Sequence, residues 1–247
     1  MKQKHGNLVI IPAHNEEKSL PWVIRAVANF SPESDILVVN DCSLDATSQV
    51  AKSLKKYADV TVLDLPYNLG IGGAMQAGFL YARDNGYDVA IQIDGDGQHS
   101  PKFIKDLKDG IIKDSSDLVV GSRFIGKKGF KGLFLRRIGI RYFSKLIEAF
   151  TGMRILDATS GFRAFSKRAI AIFAEYYPHD YPEVESFVVL KKVGFKIIEI
   201  PVVMKRRKHG VSTINWIDGI YYMVRVSLGI LISSLRDYSE LKGERNV

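Results

Sequence analysis

The chain is poor in cysteine. Cys42 is the only one among 247 residues, so no internal disulfide can form and nothing asks for an oxidising compartment. Long apolar runs are missing too. The most apolar segment, residues 214–235, is broken by Asp218 and Arg225, and only ten uncharged residues follow Arg225; about 20 are needed to cross a bilayer. No apolar core follows the first charges, and no signal peptide is expected. Repeats and low-complexity tracts are absent. Acid is in deficit, with 27 Asp and Glu against 35 Lys and Arg and a formal charge of +8. What remains is a chain long enough to bury a sizeable core without staples, as one large α/β domain or two small ones.

The most informative stretch is Val89-Ala90-Ile91-Gln92-Ile93-Asp94-Gly95-Asp96-Gly97-Gln98-His99. A short apolar run closed by Asp and Gly reads as a buried strand. Gly95 and Gly97 allow a sharp turn and leave room for a ligand near the backbone. Ligands of open α/β sheets bind at the carboxyl ends of the strands. Asp94, Asp96 and Gln98 would therefore direct oxygens into that crevice. Two or three hard oxygen donors suit Mg²⁺ or Mn²⁺, with water and substrate phosphates completing the shell. The stretch predicts a metal–diphosphate site. The plainer account is that Asp and Gly simply turn the chain.

The first half alternates strands with helices. Strands are expected at 7–11, 35–39, 60–65 and 89–93, and helices at 19–29, 45–57, 74–85 and 101–113. Ser19 is the expected cap of the first helix, with Pro21 in its first turn, and Asp45 or Ser43 caps the second. The connections are too long for hairpins, which predicts an α/β fold with a mostly parallel central sheet and helices on both faces. Three of these strands end in polar, ligand-type residues, which should meet along one edge. The second half is less regular. A strand at 117–121 leads to Ser122-Arg123, then a glycine-punctuated stretch at 126–132 and a helix at 134–150. A polar turn at 157–164, a strand and helix at 165–175, a helix after Tyr181-Pro182-Glu183-Val184-Glu185 and a strand at 195–204 follow.

Charge is concentrated. Between Gly121 and Phe150 eight basic residues stand against Glu148 alone, and Lys205-Arg206-Arg207-Lys208 adds a second run. Such clusters favour an anionic partner: nucleic acid, a phospholipid surface or a phosphorylated ligand. No nucleic-acid module or aromatic-interleaved basic stripe is present, so nucleic acid is not the expected partner. Arg137 and Arg141 lie one turn apart on one helix face, suited to phosphate or to plain solvation. The segment 214–235 is expected as a core or oligomer-interface helix, or as a helix lying in a membrane interface with Trp216, Tyr221, Tyr222, Arg225 and Arg236 near the headgroups.

Six motifs occur in one order over residues 7–212: Pro12-Ala13-His14-Asn15-Glu16, Val38-Val39-Asn40-Asp41-Cys42-Ser43, Asn68-Leu69-Gly70, Asp94-Gly95-Asp96-Gly97-Gln98, Gly121-Ser122-Arg123 and Ser160-Gly161-Phe162-Arg163. On them the chain resembles the family-two inverting glycosyltransferases with the GT-A fold. Within that family it is most similar to the polyprenyl-phosphate sugar synthases (dolichyl-phosphate mannose synthase-like). The resemblance implies a GT-A domain over 1–212, with 213–247 an apolar helix and polar tail that meets a membrane interface or a partner. It implies that Pro12, Ala13, His14 and Glu16 line the base and ribose of a nucleoside-diphosphate sugar (UDP or GDP), that Asp41 holds the base, and that Asn68 joins them. Asp94, Asp96 and Gln98 would bind Mg²⁺ or Mn²⁺ and the diphosphate. Arg123 and an arginine of the next helix, Arg137 in preference to Arg136 or Arg141, would bind the acceptor phosphate, making Asp96, Arg123 and Arg137 the expected catalytic set. The run with Arg206 or Arg207 resembles a mobile loop that closes over the diphosphate. Three departures bear on the nucleobase: Asn40 is usually Asp, Cys42 usually Gly, and His14 often Tyr. The serine often found one turn after the helix arginine is here Arg141.

The nature of the acceptor decides whether a base is needed. A phosphate monoester is mostly dianionic at about pH 7 and needs cations. A sugar hydroxyl needs a general base, for which Glu183 or Glu185 is the candidate, unless both merely suit a helix N-terminus. The expected function is metal-dependent, inverting transfer of a hexose to a polyprenyl (undecaprenyl or dolichyl) phosphate at the cytoplasmic face of a membrane. Association is expected to be peripheral, or through a homo-oligomer or small membrane-protein partner, since the C-terminal spans of many relatives are lacking. The rivals are a hydroxyl-accepting glycosyltransferase of cell-surface polysaccharide synthesis, a nucleotidyltransferase releasing pyrophosphate, and a catalytically dead subunit that binds a membrane partner.

Overall fold

The computed structural model describes residues 6–126, 134–178, 181–205, 216–238 and 241. Its seven strands are β1 (Asn7–Ala13), β2 (Ser34–Asn40), β3 (Val60–Asp64), β4 (Val89–Gln92), β5 (Leu118–Ser122), β6 (Arg163–Ser166) and β7 (Ile197–Pro201). They form one sheet in the order β3-β2-β1-β4-β6-β5-β7. Every pairing is parallel except the two that β6 makes, with β4 and β5. The mostly parallel sheet expected from the alternating pattern is therefore present.

Helices cover both faces. On one lie α1 (Leu20–Phe30), α2 (Thr47–Ser53) and α4 (Ile104–Ile112); on the other α3 (Gly70–Asp84), α5 (Phe134–Thr151), α6 (Lys167–Glu175), α7 (Pro182–Lys192) and α8 (Trp216–Leu235). Strand β1 shows why this holds. Leu8 and Ile10 enter one core while Val9, Ile11 and Ala13 enter the other. A central parallel strand is buried on both sides, so its sequence reads as a continuous apolar run.

Some local expectations are corrected. Ser19 stands at the N-cap of α1 but its hydroxyl makes no cap bond; it donates to the Glu16 carboxylate instead. Asp45 does act at the start of α2, accepting from the Thr47 N–H at 2.9 Å. Helix α3 begins at Gly70, four residues before the predicted start, and further along it packs closely on β1. A Cβ on Gly78 would lie 2.6 Å from Ile10 Cγ2 of β1. Packing of helix on strand overrides the low helix propensity of glycine. The predicted helix at 101–113 is a 3₁₀ turn (Pro101–Phe103) followed by α4, and β7 is half the predicted length.

Register sets the functional edge. Ala13 pairs with Asn40, Ile10 with Gln92, and Gln92 with Arg163. The carboxyl ends of β1, β2 and β4 therefore share a rim with the start of the reversed strand β6. Helix α8 packs on α5 and α7: Tyr142 and Ser227 hydroxyls meet at 2.8 Å, and Ser233 donates to Glu185 at 3.1 Å. Its other side leaves Val224, Leu228, Leu231, Ile232 and Leu235 exposed. Among the described residues no helix is long and apolar enough to cross a membrane.

Two glycine substitutions test this packing. Gly78→Ala should destabilise by about 2 kcal/mol, the cost of overpacking. Gly139→Ala in α5, where a Cβ meets nothing within 4 Å, should stabilise by about 0.5–1 kcal/mol. Urea unfolding midpoints of the two variants and the parent check both signs.

Candidate active site

The loops after β1 and β2 are fastened to each other. Glu16 N–H donates to Thr47 Oγ1 (2.8 Å), Asn15 N–H to Ser43 Oγ (3.0 Å), and Leu44 N–H to Asn15 Oδ1 (2.8 Å). This holds Asn15 and Cys42 at φ 57° and 53°, a region that costs most side chains roughly 1–2 kcal/mol. The usual glycine at position 42 thus has a backbone reason. The His14 ring donates from Nδ1 to the Asp41 carbonyl (2.7 Å), which leaves Nε2 to accept from Asn15 Nδ2 (3.0 Å). The Asp41 carboxylate accepts from Leu69 N–H (2.7 Å), and Asn68 Nδ2 comes within 3.2 Å of His14. Pro12, Ala13, His14, Glu16, Asp41 and Asn68 are thus gathered at one end of β1, β2 and β3, with Pro12 and Ala13 buried and His14 exposed. Asn40 is buried and donates to Asp64 (2.8 Å), whose other oxygen meets Lys52 (2.6 Å). An aspartate at position 40 would set two carboxylates against each other; the amide does not.

Past β4, Asp94 and Asp96 stand on the rim. Asp94 N–H donates to His99 Nδ1 (3.1 Å), and His99 Nε2 lies 3.5 Å from Asp94 Oδ2. Burial lowers His99 to about 4 against the pull of Asp96, so the ring is neutral and its remaining N–H faces Asp94. It stacks on Phe162 with centroids 5.0 Å apart. Asp96 Oδ1 accepts from Gln98 N–H (2.9 Å), and the Gln98 carbonyl accepts from Lys205 N–H (2.8 Å). The Lys205 ammonium sits over Trp22, 4.6 Å from the ring centre. Among the described residues no three His, Cys, Asp or Glu side chains form a metal cage. A pair of carboxylates at a strand end fits a different use: a hard cation that takes its other ligands from water and a diphosphate. Asp94 and Asp96, with Gln98 beside them, fit Mg²⁺ or Mn²⁺ on those terms.

On the other side two arginines are buried. Arg123 grips Asp157 by two bonds, Nε to Oδ2 (2.7 Å) and Nη2 to Oδ1 (2.5 Å), and adds Thr159 Oγ1 (3.0 Å). Arg123, expected at an acceptor phosphate, is thus committed to an internal carboxylate. Arg163 is fully buried and donates to the Ser160 carbonyl (2.6 Å), the Glu183 carbonyl (2.7 Å) and Ser186 Oγ (2.8 Å). Arg137 and Arg141 are exposed on α5, whose Ile140, Phe143 and Ile147 are buried. Arg206 and Arg207 lie outside the described residues, as does the side chain of Arg136.

The two candidate bases of α7 separate. Glu185 is buried against α8, where it accepts from Ser233 and where a Cβ on Gly229 would lie 2.7 Å from its oxygen. Glu183 sits in the first turn; burial raises its carboxyl above the usual range, Arg163 opposes this, and Asp94 adds to it. Sequence reasoning missed His99 as the support of Asp94 and Asp157 as the anchor of Arg123. The available signal was the polar, turn-like stretch with Asp157, Thr159 and Ser160 shortly before β6.

The chain is similar to known proteins in sequence and in fold. Residues 8–173 match the family described as Glycosyl transferase family 2. The chain is 33% identical over 210 residues, covering 78% of this chain and 83% of the relative, to UDP-N-acetylglucosamine--dolichyl-phosphate N-acetylglucosaminyltransferase of Methanococcus voltae. It is 32% identical over 213 residues, 84% and 87% of the two chains, to undecaprenyl-phosphate mannosyltransferase of Micrococcus luteus. Among solved structures, glucosyl-3-phosphoglycerate synthase from Mycobacterium tuberculosis, in complex with Mn²⁺, UDP and phosphoglyceric acid, superposes with a TM-score of 0.71 at 19% identity, over 96% of this chain and 81% of that one. The chain belongs to glycosyl transferase family 2 and is a glycosyltransferase with the GT-A fold.

Proposed function

We propose that this enzyme transfers a hexose, with inversion and with Mg²⁺ or Mn²⁺, from a nucleoside-diphosphate sugar to a polyprenyl phosphate. The observation that carries the reading is the pair of exposed arginines one turn apart on α5, Arg137 and Arg141. Planar guanidinium groups suit phosphate oxygens, and a dianionic phosphate needs no base. The named acceptors of the relatives, dolichyl and undecaprenyl phosphates, support it. So does the Mn²⁺–UDP complex of the structural neighbour.

In this reading the loops after β1 and β2 hold the nucleoside through His14, Asp41 and Asn68. Asp94, oriented by His99, and Asp96 would hold the cation; when bound, it would neutralise charge on the departing nucleoside diphosphate. Arg137 and Arg141 bring an acceptor phosphate oxygen to the anomeric carbon from the side opposite the leaving group. A C–O bond forms there as the bond to the diphosphate breaks. Arg123 acts as a positioning residue that fixes the 157–160 turn, and Arg206 is proposed on the closing loop. The enzyme would work peripherally at the cytoplasmic face of a membrane, with the exposed apolar row of α8 against lipid. One observation favours a second reading, transfer to a sugar hydroxyl: Glu183, partly buried near Asp94, has the raised carboxyl of a base.

The test is a product assay with Mn²⁺ or Mg²⁺, a short polyprenyl phosphate and labelled UDP- and GDP-sugars. Label in an acid-labile lipid product is the expected result. Label only in an oligosaccharide product would replace this reading with the second. In that assay Asp96→Ala should lower kcat at least about 100-fold, the scale of losing a main stabiliser of developing charge; a near-normal rate would remove Asp96 from the cation site. Arg137→Ala should raise the KM for polyprenyl phosphate about tenfold, roughly the worth of one charge-assisted bond, with the nucleotide-sugar KM unchanged. Replacing Leu228 and Ile232 together by Glu should abolish co-sedimentation with anionic lipid vesicles while the melting temperature holds. Undiminished sedimentation would exclude α8 as the lipid contact.

A further inference from the structure

The turn that carries the cation acids lies outside the sheet, since β4 ends at Gln92. Two of its residues, Gly95 and Gly97, have no side chain to hold them, and glycine has more backbone freedom to lose than any other residue. A site with only two or three protein donors depends on how firmly those donors are set. What backs this turn therefore decides how well it takes a hard ion. The backing is close at both glycines. A Cβ on Gly95 would stand 3.3 Å from the Pro12 carbonyl oxygen and 3.5 Å from Glu16 Cγ, so the loop after β1 abuts that side. Gly97 has φ 75°, and a Cβ there would stand 3.3 Å from both Cε3 and Cζ3 of Trp22. Trp22 is the third residue of α1 and is half-buried. An indole has only two side-chain torsions and presents a large, rigid contact area.

Lys205 closes the assembly. Its ammonium lies 4.6 Å from the centre of the Trp22 ring, within the range of a cation–π contact. Its backbone N–H donates to the Gln98 carbonyl at 2.8 Å. The Gln98 N–H in turn donates to Asp96 Oδ1 at 2.9 Å. Asp96, Gly97 and Gln98 are thus each held: by Gln98, by the indole and by Lys205. Lys205 is exposed and also begins the basic run Lys205-Arg206-Arg207-Lys208, so the root of that run is fastened at the cation turn.

We propose that Trp22 and Lys205 are positioning residues of the cation site: the indole backs Gly97, the ammonium holds the indole, and the pair sets Asp96 and Gln98 for Mg²⁺ or Mn²⁺. Neither side chain is a ligand; both act through the turn. This rests on the cation reading given above and extends it to two residues outside the six sequence motifs.

The experiment is calorimetric titration of the full chain with UDP and with GDP, each in EDTA and in Mn²⁺. The readout is the gain in affinity that Mn²⁺ brings for the nucleotide the parent binds. Trp22→Leu should cut that gain about tenfold, the scale of losing a support behind metal ligands, and leave the affinity in EDTA within about twofold. Lys205→Met should cut it about threefold, the scale of an exposed cation–π contact, and Lys205→Arg should restore it. In the Trp22→Leu background Lys205→Met should have no effect, because the ammonium acts through the ring. An unchanged gain in Trp22→Leu would overturn the proposal. So would the same Lys205→Met loss in both backgrounds, since the charge would then act directly. Equal loss in EDTA and in Mn²⁺, with a lower melting temperature, would make Trp22 structural only. A parent whose affinity for neither nucleotide rises with Mn²⁺ would overturn the cation reading itself.

Discussion

A guanidinium buried in the middle of an acid-lined rim holds the catalytic half of this molecule together. Arg163 is inaccessible to solvent and makes its hydrogen bonds to neutral groups: carbonyls of Ala158, Ser160 and Glu183, and the Ser186 hydroxyl. It also lies over Phe187, 4.7 Å from the ring centre. A cation desolvated in this way costs several kcal/mol unless nearby charge and dipoles offset it. Here Glu183, Asp157 and Asp94 supply the negative field, while burial opposes them. The relation runs both ways. Three carboxylates can gather near the rim because two buried arginines, Arg163 and Arg123, stand among them. Loss of either cation would expose the acids to one another.

The reversal of β6 turns that electrostatic arrangement into a site. A strand parallel to β4 would bring its end, not its start, to the rim. Because β6 runs the other way, Gly161, Phe162 and Arg163 arrive beside Asp94 as they enter the sheet. Phe162 then backs the His99 ring, and His99 in turn orients Asp94. Arg163 reaches across to α7. A chain of contacts thus links the acid of β4 to the first turn of a helix about 90 residues later in sequence.

The parts of this arrangement legible in the sequence are those governed by local rules. Apolar runs closed by Asp and Gly mark strand ends, and the topology of α/β sheets places strand ends together. Asp94, Asp96 and the loops at 12–16 and 40–45 follow from that. The illegible parts depend on distant partners. Asp157 looked like a turn residue, yet it is buried as the partner of an arginine 34 positions away. Glu183 and Glu185 were indistinguishable as letters; a two-residue step on a helix turned them to different neighbours. Gly70, Gly72 and Gly73 read as loop because glycine has low helix propensity, yet they form the first turn of α3. Cys42 and Asn40 read as departures from a pattern, and the backbone dihedral and the Asp64 contact are what give them sense.

The charge layout also bears on the choice of acceptor. A donor diphosphate and an acceptor phosphate repel one another, and the rim they would share is itself acidic at Asp94, Asp96 and Glu183. Bringing them together requires cations on both sides of the reacting carbon. The protein has them at two depths: Arg123 and Arg163 inside, where they balance the rim's own carboxylates, and Arg137 and Arg141 on the outer face of α5, where a phosphate can reach them. A neutral hydroxyl acceptor would draw no benefit from the outer pair and would depend wholly on one carboxylate. Phosphate then remains as the acceptor that brings its own negative oxygen and asks the protein only for positive charge.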